Sequence, residues 1–271
     1  MDEIIVGIVQ DEYTADPRKN YDKIKEILSK HYREADIVLL PEYSMINILA
    51  GLKPLDVYNM SESLEDSPFI ARLSDLASSL DTNILAHIIE KTDIKPKTMS
   101  TSVLIESSGR TSKVYSKIHL FDAYGYRESD YFIPGNSLSK GIYLGKYLFY
   151  VAICFDLRFP ELFRTYARNN AYGVFVHSGW VKGYLKEEVL DVLSKARSHE
   201  NTMYIILSDH TGELYVGRSG VFNPYGFREV DMGFKPGYIE WAIKPEIVEE
   251  ARKTIPVMDK SRIFWNIFFK K

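Results

Sequence analysis

The chain has 271 residues, 45% of them hydrophobic, which is enough core for one large domain or two small ones. Its 34 basic and 37 acidic residues leave a net charge of −3, so the surface as a whole has no attraction for nucleic acid or anionic lipid. One cysteine, Cys154, excludes an internal disulfide framework and fits a reducing compartment, which makes the cytoplasm the expected location.

Residues 4–9 read as a first buried strand. The acidic start before them shows no signal-peptide pattern, and no apolar run is long enough to span a bilayer. Asp16-Pro17 opens a helix with Tyr21, Ile24, Ile27 and Leu28 at helical spacing. Residues 36–40 form a second short buried strand that runs directly into Pro41-Glu42. A carboxylate there follows a buried strand and a proline, and burial of such a group calls for pairing or hydrogen bonds. A helix is expected over 67–79, with Phe69, Ile70, Leu73 and Leu76 on one side. A strand follows over 83–89, then a hairpin of 99–106 and 111–116 turned at Ser108-Gly109. Lys117 comes directly after that hairpin and begins an irregular segment to Pro134-Gly135, which reads as a site loop or as a solvated lysine beside a structural histidine.

The stretch from Tyr147 to Arg164 organises the chain. Residues 147–153 are an apolar run rich in aromatic and β-branched residues, expected as a fully buried strand. Pro160-Glu161 opens a helix, with proline in the first turn and a carboxylate favoured by the dipole. Cys154 lies at the turn between them. Backbone N–H groups and a helix N-terminus there favour the thiolate, while the alternative is a buried structural cysteine.

Residues 173–177 are a further strand, followed by Gly179 and Trp180 where a pocket loop would lie. A helix over 185–201 is expected to turn Val189, Leu190, Leu193 and Ala196 inward. The histidines at 31, 87, 177, 199 and 210 show no zinc-like pairing, and no glycine-rich phosphate loop is present. Alternating strands and helices without repeat or linker predict one α/β layered domain over residues 1–271, with active groups at strand ends.

Four ordered stretches resemble the nitrilase (carbon–nitrogen hydrolase) superfamily: Leu40-Pro41-Glu42, Lys117-Ile-His-Leu-Phe-Asp122, Cys154-Phe-Asp-Leu-Arg-Phe-Pro-Glu161 and Lys195-Ala-Arg197-Ser-His-Glu200-Asn201. Phe132-Ile-Pro134-Gly135, Gly217-Arg-Ser219-Gly-Val-Phe-Asn-Pro224-Tyr-Gly226 and Ile255-Pro256-Val257 add to the likeness. The resemblance implies a four-layer αββα sandwich that pairs into a larger layered homodimer. It also implies a Glu42–Lys117–Cys154 site acting on small linear amides, without metal or organic cofactor. Glu42 would be the base, and Lys117 with the Phe155 backbone N–H would hold an oxyanion. The family's second glutamate falls on Glu128, which would orient substrate amide or Lys117.

Asp156 and Arg158 resemble the amidase branches, especially omega-amidases. Arg158 could present a fork to a substrate carboxylate, or pair with Asp156 or Glu161. Trp180 is expected in the substrate pocket. The chain departs from the omega-amidase pattern at Met99-Ser100, where Tyr-Asn is usual, at Asp209 in place of Asn, and over 180–189, which lacks a Gly-x-x-His-Trp-like segment. An N-carbamoyl amide hydrolase and a catalytically silent scaffold member are the alternatives. The apolar tail at 261–271, with Ile263, Phe264, Trp265, Ile267 and Phe268, is expected to bury against its own sandwich or a partner subunit.

Overall fold

The computed structural model describes residues 3–261. The tail contacts expected of Ile263 to Phe268 therefore lie outside the described residues.

The first sheet is built from β1 (Ile4–Gln10), β2 (Ile37–Leu39), β3 (Asn83–Lys91), β4 (Thr98–Ile105) and β5 (Thr111–Ser116), with β14 (Gly237–Ile243) on the far edge. Its order is β14-β1-β2-β3-β4-β5. β1, β2 and β3 are parallel, with Gly7 opposite Val38 and Val38 opposite Ile84. Helices α1 (Pro17–His31) and α3 (Pro68–Leu80) cover one face. Both start where the sequence predicts: Asp16 accepts from Arg18 N at 2.9 Å and the Ser67 hydroxyl from Ile70 N at 3.0 Å. Between them and the sheet pack Ile24, Leu28, Phe69, Leu73, Val38 and Ile84.

The second sheet runs β13-β12-β11-β10-β9-β8, from β8 (Ile142–Leu144), β9 (Tyr147–Ile153), β10 (Gly173–His177), β11 (Tyr204–Ser208), β12 (Gly220–Phe222) and β13 (Arg228–Asp231). β9, β10 and β11 are parallel, and every residue of β10 and β11 is buried, as apolar runs without alternation require. Helices α4 (Pro160–Arg168) and α5 (Lys186–His199) close its outer face over Phe163, Tyr166, Val174 and Ile205. The inner faces of the two sheets meet in a third cluster that includes Val6, Ile8, Leu39, Val151, Phe175 and Ile206. The result is an α/β layered domain, as the strand and helix pattern predicts, and the αββα sandwich that the resemblance implies.

α5 adds polar residues to its expected inward face. Leu190 is fully buried and Val189 and Leu193 pack partly buried against the same cluster, as expected, but Ser194, Arg197 and Ser198 are buried on that face too, more completely than Ala196. The reason is polar: α5 lies over the turn after Cys154, and Arg197 Nε donates to Leu157 O there at 2.9 Å. The segment after Lys117 is largely irregular, but it holds a short hairpin of Asp122–Ala123 and Tyr126–Arg127 (β6 and β7) and a single 3-10 turn at Glu128–Asp130. The helices at Pro54–Met60 (α2), Pro245–Thr254 (α6) and Val257–Lys260 (α7) and the strands after β11 complete the chain.

Candidate active site

Cys154 directly follows β9 with φ of +44°, a left-handed backbone conformation that an L-residue adopts only under tertiary constraint. The constraint is visible. A 3-10 turn, Cys154–Arg158, separates β9 from α4, and its Asp156 is buried. Asp156 Oδ2 accepts from Ile153 N and from the Tyr115 hydroxyl, both at 2.9 Å, and its Oδ1 lies 2.6 Å from His119 Nδ1. Arg197, held by Glu200 at 2.8 Å, braces the same turn through Leu157 O. Asp156 is thus committed to the turn. Arg158 forms no ion pair with it or with Glu161 among the described residues. Its guanidinium instead lies over the Trp180 ring at 5.0 Å and the Phe155 ring at 5.9 Å.

Glu42 follows the end of β2 and Lys117 follows the end of β5, so both come from the first sheet and face Cys154 of the second. All three of Glu42, Lys117 and Glu128 are buried. Lys117 Nζ donates to Glu42 Oε1 at 2.8 Å and to Glu128 Oε1 at 2.7 Å. Of the two roles expected for Glu128, the contact with Lys117 is therefore present. Glu128 Oε1 also accepts from the Tyr43 hydroxyl at 2.5 Å and Oε2 from Phe121 N at 2.7 Å, which ties the loop after Lys117 to the site. An ammonium has three donors, and these carboxylates take two. Glu42 Oε2 has no hydrogen-bond partner among the described residues, and the nearby Cys154 thiol acts on the ionisation of the same carboxyl.

The cluster opens into a cavity of about 560 Å³ walled mainly by aromatic residues, among them Tyr43, Phe121, Tyr124, Tyr126 and Trp180. Trp180 is where the sequence places it, its Nε1 donating to Lys186 O at 3.0 Å and its backbone N to Asp209 Oδ1 at 2.8 Å. Phe155 also lines the cavity, with its ring edge-on to Phe121 at 5.1 Å. Two participants, Tyr43 and Lys186, were not legible in sequence, and Gly179, expected in the pocket loop, makes a contact the sequence did not show. Tyr43 steadies Glu128. Gly179 directs its N–H at Cys154, and a Cβ at residue 179 would stand 3.2 Å from Glu42 Oε2. Lys186 lays its ammonium 4.2 Å over the Tyr124 ring and 5.8 Å over Trp180, opposite Arg158, with no carboxylate partner among the described residues.

Burial raises the Glu42 carboxyl to about 7, opposed by the Lys117 charge and assisted by that of Glu128. For Lys117, burial acts to lower the pKa, but the Glu128 and Glu42 carboxylates outweigh it and hold the ammonium charged. Burial pushes the Cys154 thiol up, and the Glu42 and Glu128 charges push it further, against Lys117 and the Gly179 N–H. Burial first, and then the Glu42 and Glu128 charges, thus work against the thiolate that the turn alone favours. Burial and the Arg158 charge both lower Lys186.

A thiol, a carboxyl poised near neutrality and a fixed ammonium thus converge from the two sheets of an αββα sandwich. The model of the family described as "Carbon-nitrogen hydrolase" matches residues 5–253, and the chain belongs to that family. It is a carbon–nitrogen hydrolase. It is 28% identical to a deaminated glutathione amidase of Synechocystis over 91% of this chain and 93% of that protein. It is 29% identical to an omega-amidase of Saccharomyces cerevisiae over 73% of this chain and 71% of that protein. Among solved structures, a carbon-nitrogen hydrolase of Helicobacter pylori G27 superposes with a TM-score of 0.87 at 22% identity, covering 100% of this chain and 99% of that one. No helix among the described residues is long and apolar enough to cross a membrane.

Proposed function

We propose that the chain hydrolyses a small linear amide bearing a carboxylate, through a thioester on Cys154, and releases ammonia and a carboxylic acid. The observation that carries this reading is the single ammonium of Lys117 bridging Glu42 and Glu128 at 2.8 and 2.7 Å beside the only cysteine. Glu42 takes the thiol proton as sulfur attacks the amide carbon, and the third Lys117 N–H with the Phe155 backbone N–H receives the oxyanion. Collapse breaks the C–N bond, Glu42 protonates the departing nitrogen, and ammonia leaves a thioester. Water then gives its proton to Glu42 and attacks the thioester. The C–S bond breaks, and the proton returns to sulfur. A carboxyl raised to about 7 suits a group that must accept and return a proton twice per turnover.

The carboxylate requirement rests on Arg158 and Lys186, two cations held over aromatic rings of the cavity wall with no acidic partner among the described residues, whereas Lys182, which also lines the cavity, donates to Gly212 O at 2.7 Å. The names of the amidase relatives support amide rather than nitrile chemistry. A homodimer in the cytoplasm, with residues 1–271 as one catalytic unit, completes the proposal. Light scattering tests the dimer, and fractionation tests the location. Ammonia release should be measured over monoamides of four- and five-carbon dicarboxylic acids, neutral amides of equal length, carbamoyl compounds and nitriles, with carbon dioxide assayed in parallel. Preference for the acidic amides without carbon dioxide supports the reading. Preference for neutral amides, or carbon dioxide in step with ammonia, overturns it.

A further inference from the structure

Glu42 sits on irregular backbone, beyond the last ladder bond of β2, where Leu40 N donates to Leu85 O at 3.0 Å. Tyr43, next in the chain, has φ of +59°. A base so placed keeps its aim only if something else holds the main chain. Three buried histidines meet that segment, each on a different backbone group. His177, ending β10, has Nδ1 2.6 Å from Leu40 O. His210, just after β11, reaches Glu42 O through Nε2. His87, within β3, receives Tyr43 N on its Nδ1 at 3.0 Å.

The partners fix each tautomer. A carbonyl needs a donor, so His177 carries its proton on Nδ1, and the Ser102 hydroxyl donates to its Nε2 at 2.7 Å. His87 must leave Nδ1 bare for the Tyr43 N–H, so its proton is on Nε2, 2.7 Å from Ser100 Oγ. Ser100 is one of the positions that departs from the omega-amidase pattern. His210 carries its proton on Nε2, and its Nδ1 has no partner among the described residues, buried between the Tyr13 and Tyr215 rings. A bare acceptor is a cost that an apolar side chain there would not bear. The ring keeps one N–H, aimed at the carbonyl of the base. Burial lowers His87 well below the ordinary histidine value, His177 to about 4 and His210 to about 3, so all three stay neutral.

We infer that His87, His177 and His210 are positioning residues, a clamp from both sheets that fixes the Leu40–Tyr43 backbone and so aims the Glu42 carboxyl at Cys154. The inference rests on Glu42 acting as the base. His177 ends β10 and His210 follows β11, in the sheet whose β9 leads into Cys154, so the clamp references the base to the sheet that positions the nucleophile, across the seam between the sheets.

The test compares His210→Gln, whose amide Nε2 can donate to the same carbonyl, with His210→Met, which fills similar space without a donor. The expected result for His210→Met is a kcat at least tenfold lower with KM within twofold, and for His210→Gln recovery of most of that kcat. Equal impairment of the two variants, an unimpaired His210→Met, or a loss confined to KM would each overturn the clamp. Glu42→Gln, assayed alongside, separates the two claims. Turnover retained in Glu42→Gln removes the base and the clamp with it. An inactive Glu42→Gln beside a fully active His210→Met overturns the clamp alone.

Discussion

Replacing Glu42 by Gln should abolish turnover and, above neutral pH, make the protein more stable. The carboxyl is buried against a second carboxylate with one ammonium between them, and burial raises it to about 7 from an ordinary 4.5. A folded-state pKa above the unfolded value means that the folded chain holds a proton the unfolded chain has released. The corresponding stability is complete below pH 4.5 and is lost as the pH rises through 7. At about 1.4 kcal/mol per pH unit, the gap amounts to about 3 kcal/mol. Below pH 4.5 the protonated acid and the amide are near-isosteres, so the two proteins should unfold together. At pH 8 the variant, with Lys117 and Glu128 left as a neutral pair, should lead by about 3 kcal/mol, or about 1 M in urea midpoint for a slope near 3 kcal/mol/M. Equilibrium urea unfolding of both proteins at half-unit steps from pH 4.5 to 8 gives the difference curve directly. A difference that is flat with pH, or one that favours the wild type at pH 8, would show that the carboxyl is not the strained ionisation described here.

The same group sets the activity profile. Because the base must be ionised to act, kcat/KM should fall as the pH drops through about 7, and a profile level down to pH 5 would refute that assignment. Lys117→Met should fold and lose at least a hundredfold in kcat by ammonia assay, since it removes an oxyanion donor and leaves two buried carboxylates unpaired. Iodoacetamide should alkylate Cys154 slowly at pH 7, with a rate still climbing above pH 9, because burial and the carboxylates keep the thiol protonated. A rate that plateaus below pH 7 would restore the thiolate. Gly179→Ala should cut kcat at least tenfold, since the new methyl would meet Tyr43 at 3.1 Å and Glu42 Oε2 at 3.2 Å.

The legible part of this site lies where a buried strand stops. Residues 36–40 and 147–153 announce themselves by composition, so the residues just beyond them, Glu42 and Cys154, stood out as chemistry in an odd place. Lys117 was marked by the strand before it and the long loop after it. What stayed hidden depends on distant pairs. A histidine within a strand, such as His87 or His177, has no local mark that separates a packed ring from one holding the backbone of a base. The direction of the Cys154 shift went wrong for a related reason, because helix ends and exposed amides are local, whereas Glu42 and Glu128 arrive from 112 and 26 positions away. Arg158 was ambiguous until the structure gave Asp156, one of its two candidate partners, to Tyr115 and the backbone of Ile153 and showed no ion pair with the other, Glu161, among the described residues. Lys186 sits in the helix-start region that breaks the expected motif, so no pattern could have pointed to it.

Because Glu42 and Lys117 hang from one sheet and Cys154 from the other, the distance across which the proposed proton transfer would run is a reading of how the two sheets lie on each other. The residues between them, Val6, Ile8, Leu39, Val151, Phe175 and Ile206, act as the spacer of a caliper whose jaws are Glu42 and Cys154. Proton transfer fails over a fraction of an ångström, a displacement that a close-packed interior absorbs without unfolding. A methyl added or removed there, far from any substrate, would then be felt first as lost turnover in a protein that still melts normally. Turnover is in this sense the finest gauge of the core that the molecule offers.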